Sequence, residues 1–287
     1  MKLHRSVLAL ATAAVLAALP ASAAPIPDDA RINGFAIGCQ AYSFNRFSVF
    51  EAIEKTAEAG GKVIEFYPGQ KLTKEEPNVK WSHDASDEVI SRVKEKLAKH
   101  GVRAVNYGVV GIPKDEAGAR KVFEFAKKMG LYGVTTESID ALDIAEKLAK
   151  EYDIRVGIHE HAKNPNKPDY KIWNPEFVRD LLKGRDARLG ACADIGHWQT
   201  SGLKAIDGLK ILEGRLISLH AKERAALGPG QHDTIFGTGI TDMAGVLAEL
   251  KRQKFTGNIS LEYEYNWDNS VPDMKQCIDF VRDWKAK

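Results

Sequence analysis

"CQAYSFNRFS", residues 39–48, is the first connection between a strand-like run and a helix-like run in this chain. In a doubly wound open sheet this connection carries a glycine-rich turn, because the backbone must bend tightly and approach a phosphate closely. Residues 39–48 contain no glycine. That absence decides between the two architectures the rest of the chain permits.

Outward from this stretch one unit recurs. A short apolar run rich in β-branched residues precedes an amphipathic segment that ends near glycine or a basic turn. The expected strands are "GFAIGCQAY" (34–42), "GKVIEFY" (61–67), "VRAVNYGV" (102–109), "YGVTTES" (132–138), "IRVGIHEH" (154–161), "RLGACADI" (188–195), "RLISLHAK" (215–222) and "GNISLEYE" (257–264). Ser48 and Glu51 have capping-box spacing ahead of Phe50, Ile53 and Ala57. Val89, Val93 and Leu97 form a stripe before Gly101, and Val122, Ala126 and Met129 form one before Gly130, a left-handed helix stop. Asn174 and Pro175 start a further helix, and Met243, Val246, Leu247 and Leu250 line another. Eight alternations in about 260 residues predict an α/β fold, a single-domain (β/α)8 TIM barrel over residues 34–287.

Residues 1–23, "MKLHRSVLALATAAVLAALPASA", read as a signal peptide: Lys2 and Arg5 first, an apolar run from Val7 to Leu19, then Ala21-Ser22-Ala23 as a cleavage pattern. The run is short for a membrane span and Pro20 breaks it. The expectation is an exported protein, periplasmic or secreted, with no membrane attachment after signal removal and a short extension over residues 24–33. Removing the signal takes the formal charge from +2 to zero and leaves no basic block. A nucleic-acid partner is therefore not expected, and a small, weakly charged ligand is. Cys39, Cys192 and Cys277 are an odd set, and the first two lie in apolar strands, so they read as buried small residues.

Polar residues accumulate where the later strands end, the face on which barrel enzymes place their chemistry. The fourth strand ends with Glu137 and the fifth with His159, Glu160 and His161. The sixth ends "CADIGHW" (Asp194, His197), the seventh "LHAKE" (His220, Lys222, Glu223) and the eighth "LEYEYNW" (Glu262, Glu264). Side chains alternate along a strand, so His159 and His161 share a side opposite Glu160, and Glu262 and Glu264 share one. One imidazole or carboxylate from each of the last four strands converges on a common point. A mixed nitrogen and oxygen set suits one divalent ion such as Mn, Co, Zn or Mg, with positions left for substrate. Glu160, Glu223 and Glu264 lean towards supporting or surface roles. Tyr42 and Trp198 are candidates for an apolar wall against the ligand.

With "GCQAYSF", "VGIHEHAKNP", "CADIGHW", "LHAKE" and "ISLEYEYNW" in this order, the sequence resembles the xylose-isomerase-like barrels, the sugar (phosphate) isomerase/epimerase group, over nearly the whole chain after the signal. The resemblance implies a divalent metal on Asp194, His220 and Glu262, with His159 at the fifth-strand position and Glu160 or Glu137 as alternatives. It implies substrate contact through His197. Most sugar epimerases of the group have a glutamate where His159 stands, so two-base epimerisation is in question. The implied chemistry is proton abstraction next to a carbonyl through a metal-stabilised enediolate, with Glu262 as base and ligand and His161 and Lys222 moving protons. Among exported relatives that act on 3-keto-glycosides the outcome would be isomerisation or β-elimination. An exported sugar-binding protein without turnover is the non-enzyme alternative. A nuclease of the same superfamily would need a basic groove, which the charge denies. Residues 162–174 and 223–239 are expected to cover the site.

Overall fold

The computed structural model describes residues 25–286. The expected signal peptide lies outside the described residues. Eight parallel strands close a barrel: β1 (Ala36–Gln40), β2 (Val63–Phe66), β3 (Arg103–Tyr107), β4 (Gly133–Thr136), β5 (Arg155–His159), β6 (Leu189–Asp194), β7 (Leu216–Ala221) and β10 (Asn258–Leu261), with β10 pairing back onto β1. Each coincides with an expected strand and is shorter at both ends. The trimmed residues leave the ladder to form the loops that carry the polar groups. A small antiparallel pair, β8 (Glu223–Arg224) and β9 (Asp233–Thr234), lies inside the 223–239 loop.

The helices form for the reasons their sequences give. Ser48 and Glu51 make the reciprocal capping box of α1 (Val49–Glu58). Gly101 and Gly130 close α2 (Asp87–His100) and α3 (Glu116–Met129) at φ of 64° and 70°. The buried stripe of α2 is Ile90, Val93 and Leu97, with Val89 only half-buried. Between β4 and β5 lies α4 (Leu142–Tyr152). Asn174 caps α5 (Pro175–Leu181), and after β6 the chain makes two short helices, α6 (Ile195–Thr200) and α7 (Ala205–Ile211). Next come α8 (Met243–Arg252) and α9 (Val271–Asp283). Among the described residues no helix is long and apolar enough to cross a membrane.

Residues before β1 pack under the barrel. Ile26 and Ala30 join Ala36, Val63, Val105, Tyr132 and Ile217 in an apolar cluster at the amino ends of the strands. The lumen above is polar for a barrel core, where branched apolar side chains normally dominate. Glu65, Thr135, Cys192, Ser218, His220, Asn258 and Ser260 are all buried at or below 1 % exposure. A core of that composition has to be held by hydrogen bonds and ion pairs. Cys39, Cys192 and Cys277 are buried and unpaired.

Candidate metal centre

Neighbouring strands in register lift their last polar residues to one height. Asp194 pairs with His220, His159 with Cys192, and Ser260, two residues before Glu262, with His220. As a result one ligand atom each from His159, Asp194, His220 and Glu262 lies within 4.8 Å of the others, and all four residues are buried. Among the described residues Asp194 Oδ2, His220 Nδ1 and Glu262 Oε2 have no hydrogen-bond partner, although the Lys222 ammonium lies 3.3 Å from the first and 3.0 Å from the last. They face one another instead: His220 Nδ1 is 3.0 Å from Glu262 Oε2 and 3.8 Å from Asp194 Oδ2, and His159 Nε2 is 3.6 Å from Asp194 Oδ2. Buried polar atoms normally find partners. Two carboxylate oxygens and an imidazole nitrogen converging without hydrogen bonds, with His159 Nε2 beside them, fit a divalent cation.

Asp194 has two separate jobs. Its Oδ1 accepts the backbone N–H of His197 at 2.8 Å and so starts α6. That leaves Oδ2 to face the cluster. Burial works against ionising Asp194, but His197, Lys222 and His159 outweigh it and hold the carboxyl well below its ordinary range. Glu262 behaves alike: burial would raise it, and Lys222 and His220 hold it low. Both are committed anions.

Lys222 is almost wholly buried beside them. Its Nζ lies 2.7 Å from Glu264 Oε2, 3.0 Å from Glu262 Oε2 and 3.3 Å from Asp194 Oδ2. Burial would lower its pKa, and Asp194, Glu262 and Glu264 raise it well above the usual value, so it is a buried, fixed ammonium, which corrects the expectation that Lys222 moves protons. Its stem passes α6 at Gly196, where a Cβ would stand 2.4 Å from Lys222 Cβ. Only a residue without a side chain permits that approach. The same ammonium, 3.4 Å from His197 Nε2, helps burial keep the His197 imidazole neutral.

A cavity of about 300 Å³ opens above the cluster, lined by Tyr42, Tyr67, Glu137, His159, His161, His197, Glu262 and Glu264 among others. Tyr42 is exposed at its mouth and meets Tyr67 edge-on at 5.2 Å between ring centres. Exposed His161 lies 4.1 Å from His197, ring centre to ring centre. Trp198 is not there, which corrects the expectation of a Tyr42–Trp198 wall. One residue along a helix turns the side chain by about 100°, so Trp198 leaves α6 away from His197. It is fully buried, in a slot where a Cβ on Gly208 would be 2.5 Å from the indole.

The remaining glutamates separate cleanly. Glu160 is buried, both its oxygens lack hydrogen-bond partners among the described residues, and burial pushes its carboxyl well above the ordinary range. It contributes no atom to the cluster. Glu137 Oε1 is 3.1 Å from His159 Nδ1, and its Oε2 accepts from the Tyr170 hydroxyl at 2.9 Å. It orients the imidazole from behind. Glu223 is buried and its carboxylate accepts the backbone N–H groups of Gly237 at 2.9 Å and Thr241 at 2.5 Å, tying the 233–241 segment down.

Glu65 was not singled out in the sequence. It is wholly buried in the lumen, 3.1 Å from His220 Nε2, and accepts from Thr135 Oγ1 at 2.8 Å and Ser260 Oγ at 2.6 Å. Burial would raise its carboxyl, but His220 and these hydroxyls keep it ionised. It therefore lies behind His220 Nε2 as an ion-pair partner, which leaves Nδ1 facing the cluster. A carboxylate behind a ligating imidazole fixes both tautomer and orientation. Glu65→Gln is accordingly expected to weaken divalent-metal affinity roughly 10–100-fold, measured by competition with a chelating dye. Unchanged affinity would mean that something else orients His220.

A family profile described as "Xylose isomerase-like TIM barrel" matches residues 133–284, from β4 to the end of α9. No curated protein matches the sequence. Among solved structures, an uncharacterised protein from Parabacteroides distasonis is 30 % identical with a TM-score of 0.70, covering 88 % of this chain and 100 % of that one. D-psicose 3-epimerase from Clostridium cellulolyticum, solved with D-tagatose, is 13 % identical with a TM-score of 0.64, covering 86 % and 98 %. D-allulose 3-epimerase from a Methylomonas species, in complex with D-allulose, is 15 % identical with a TM-score of 0.62, covering 87 % and 96 %. At these identities the two epimerases share the fold with this chain.

Proposed function

This chain belongs to the xylose isomerase-like TIM barrel family, and we propose that it is a metal-dependent enzyme that isomerises or epimerises a sugar by removing a proton next to a carbonyl. The observation that carries this is the convergence of four buried donor atoms within 4.8 Å beneath an open cavity. His159, Asp194, His220 and Glu262 would hold the cation. When bound, it would polarise a sugar carbonyl and stabilise the negative charge of the enediolate.

The protein's own groups do the rest. Glu262 is an anion on the cavity wall and is the base that takes the proton. His161, exposed on the same wall with its ring tilted against that of neutral His197, carries protons to and from the sugar oxygens. Lys222 sits below Glu262 as a fixed positive charge that favours an anionic intermediate. Tyr42 and Tyr67 offer an aromatic face to the ring.

A lyase reaction, β-elimination on a 3-keto-glycoside, is the second reading, and one observation favours it. Two-base epimerisation needs a free carboxylate on each face of the substrate carbon. The fifth strand supplies an imidazole, and nearby Glu137 has both oxygens engaged by His159 and Tyr170. A single free base suits isomerisation or elimination. Residues 1–23 support an exported location for this activity.

Purified protein is expected to hold one divalent ion per chain and to exchange solvent deuterium into a carbon beside the carbonyl of free ketoses or 3-keto-glycosides, read by NMR. Chelation should abolish exchange, and restoring the metal should recover it. Exchange at full rate in metal-free protein would overturn the mechanism. Tight sugar binding with no exchange would favour a binding protein, and loss of the glycosidic bond during exchange would identify the lyase.

A further inference from the structure

A second cavity, about 380 Å³, lies beside the first, walled by Glu137, His161, Asn164, Pro165, Lys167 and Tyr170 among others. Glu137 and His161 line both cavities, so the two share a wall rather than lying apart. Each alone is at the small end of ligand sites, which run from about 300 to 1,000 Å³. Their volumes taken together leave room for two ring units.

The second cavity is built rather than a gap under a slack loop. Lys163 N–H donates to Ser201 Oγ at 2.9 Å, next to the end of α6. Turns close from Lys167 N–H to Asn164 O and from Tyr170 N–H to Lys167 O, at 3.1 and 3.0 Å. Tyr170 then reaches Glu137, and Glu137 reaches His159. An unbroken hydrogen-bond chain therefore joins the wall of the second cavity to a donor of the metal centre. The lining mixes apolar surface from Ala162 and Pro165 with the amide of Asn164 and the ammonium of Lys167. A sugar ring has the matching character, with C–H faces and a hydroxyl rim.

We propose that the substrate is a two-unit glycoside whose reacting ring sits over Glu262 and the metal centre and whose second sugar ring occupies the cavity behind Glu137, His161 and Tyr170. This rests on the carbohydrate reading above. The reacting unit has to take the first cavity, because only that one touches His159 and Glu262. The second unit is bound and not transformed.

The test is calorimetric titration of the metal-loaded protein with D-glucose, maltose, cellobiose, lactose and trehalose. The tightest disaccharide is expected to bind about tenfold or more better than D-glucose. Pro165→Trp and Lys167→Trp, both at exposed loop positions that line only the second cavity, should each erase that advantage and leave D-glucose affinity within about twofold. Four disaccharides binding no better than D-glucose would overturn the proposal, as would plugs that weaken monosaccharide and disaccharide alike. If the preference is absent while metal-dependent exchange persists on a free ketose, the substrate is a single ring and the proposed activity stands. If exchange is absent while the preference and its loss in both plugs persist, the activity fails and the second subsite stands.

Discussion

Glu262→Gln, measured at saturating metal, is expected to slow deuterium exchange by about 10²–10⁴-fold, the usual contribution of a positioned base. The substitution keeps the shape and removes the anion. It also removes one of two anionic donors, so affinity for the ion should fall as well, and the two losses have to be read separately. Metal titration followed by elemental analysis gives occupancy, and exchange at full occupancy then reports proton abstraction alone. Asp194→Asn supplies the contrast. It removes the other anionic donor without touching the proposed base, so refilling the site should recover much more of its rate than Glu262→Gln recovers. A Glu262→Gln rate within about tenfold of the parent at full occupancy would move the base elsewhere, with Glu264 and His161 the remaining groups on that wall.

Lys222→Met should produce the largest stability change in the metal-free protein. The ammonium faces Asp194, Glu262 and Glu264 at 2.7–3.3 Å with almost no solvent. Deleting one side of a buried ion cluster costs about 3–5 kcal/mol because the opposite charges stay buried. For a domain of this size that corresponds to a fall in Tm on the order of 10 °C. Lys222 has its folded pKa raised, so its contribution is complete below the ordinary lysine value and fades only as pH rises through the folded value. The deficit should therefore be constant across neutral pH. Added divalent metal should shrink it, since the ion replaces the missing positive charge. Metal affinity should rise, because Nζ approaches the same two oxygens, Asp194 Oδ2 and Glu262 Oε2, that would bind the ion. An unchanged Tm without metal, or weaker metal binding in the variant, would refute this account.

The strands were legible because a barrel strand buries both faces and therefore reads as a short, mostly apolar run, as residues 154–158 and 189–193 do. The side on which each polar residue falls was equally legible. Alternation places His159 with His161, and Glu160 opposite, and the structure sets the histidines on the cavity and Glu160 outside the cluster. Trp198 was misplaced because strand logic was carried into α6, where successive side chains diverge by a helical step. Glu65 was invisible for a different reason. In "VIEF" a lone carboxylate carries no local signal, and its partners His220 and Ser260 are 155 and 195 residues away along the chain. What names Glu65 is the closure of the ring, which no window of sequence contains. The small β8–β9 pair was missed because two-residue strands have no periodicity to read.

Every donor atom of the cluster comes from β5, β6, β7 and the end of β10, all inside the stretch 133–284. The carboxylate that aims His220 comes from β2, on the other side of the seam where β1 joins first strand to last. An excised half-barrel would thus inherit the full coordinating set without its alignment, and β10 would lose the edge that seats it. For this fold, gene fragments or fused halves that keep the four donors would not be equivalent to keeping the centre, which belongs to the circle rather than to either arc.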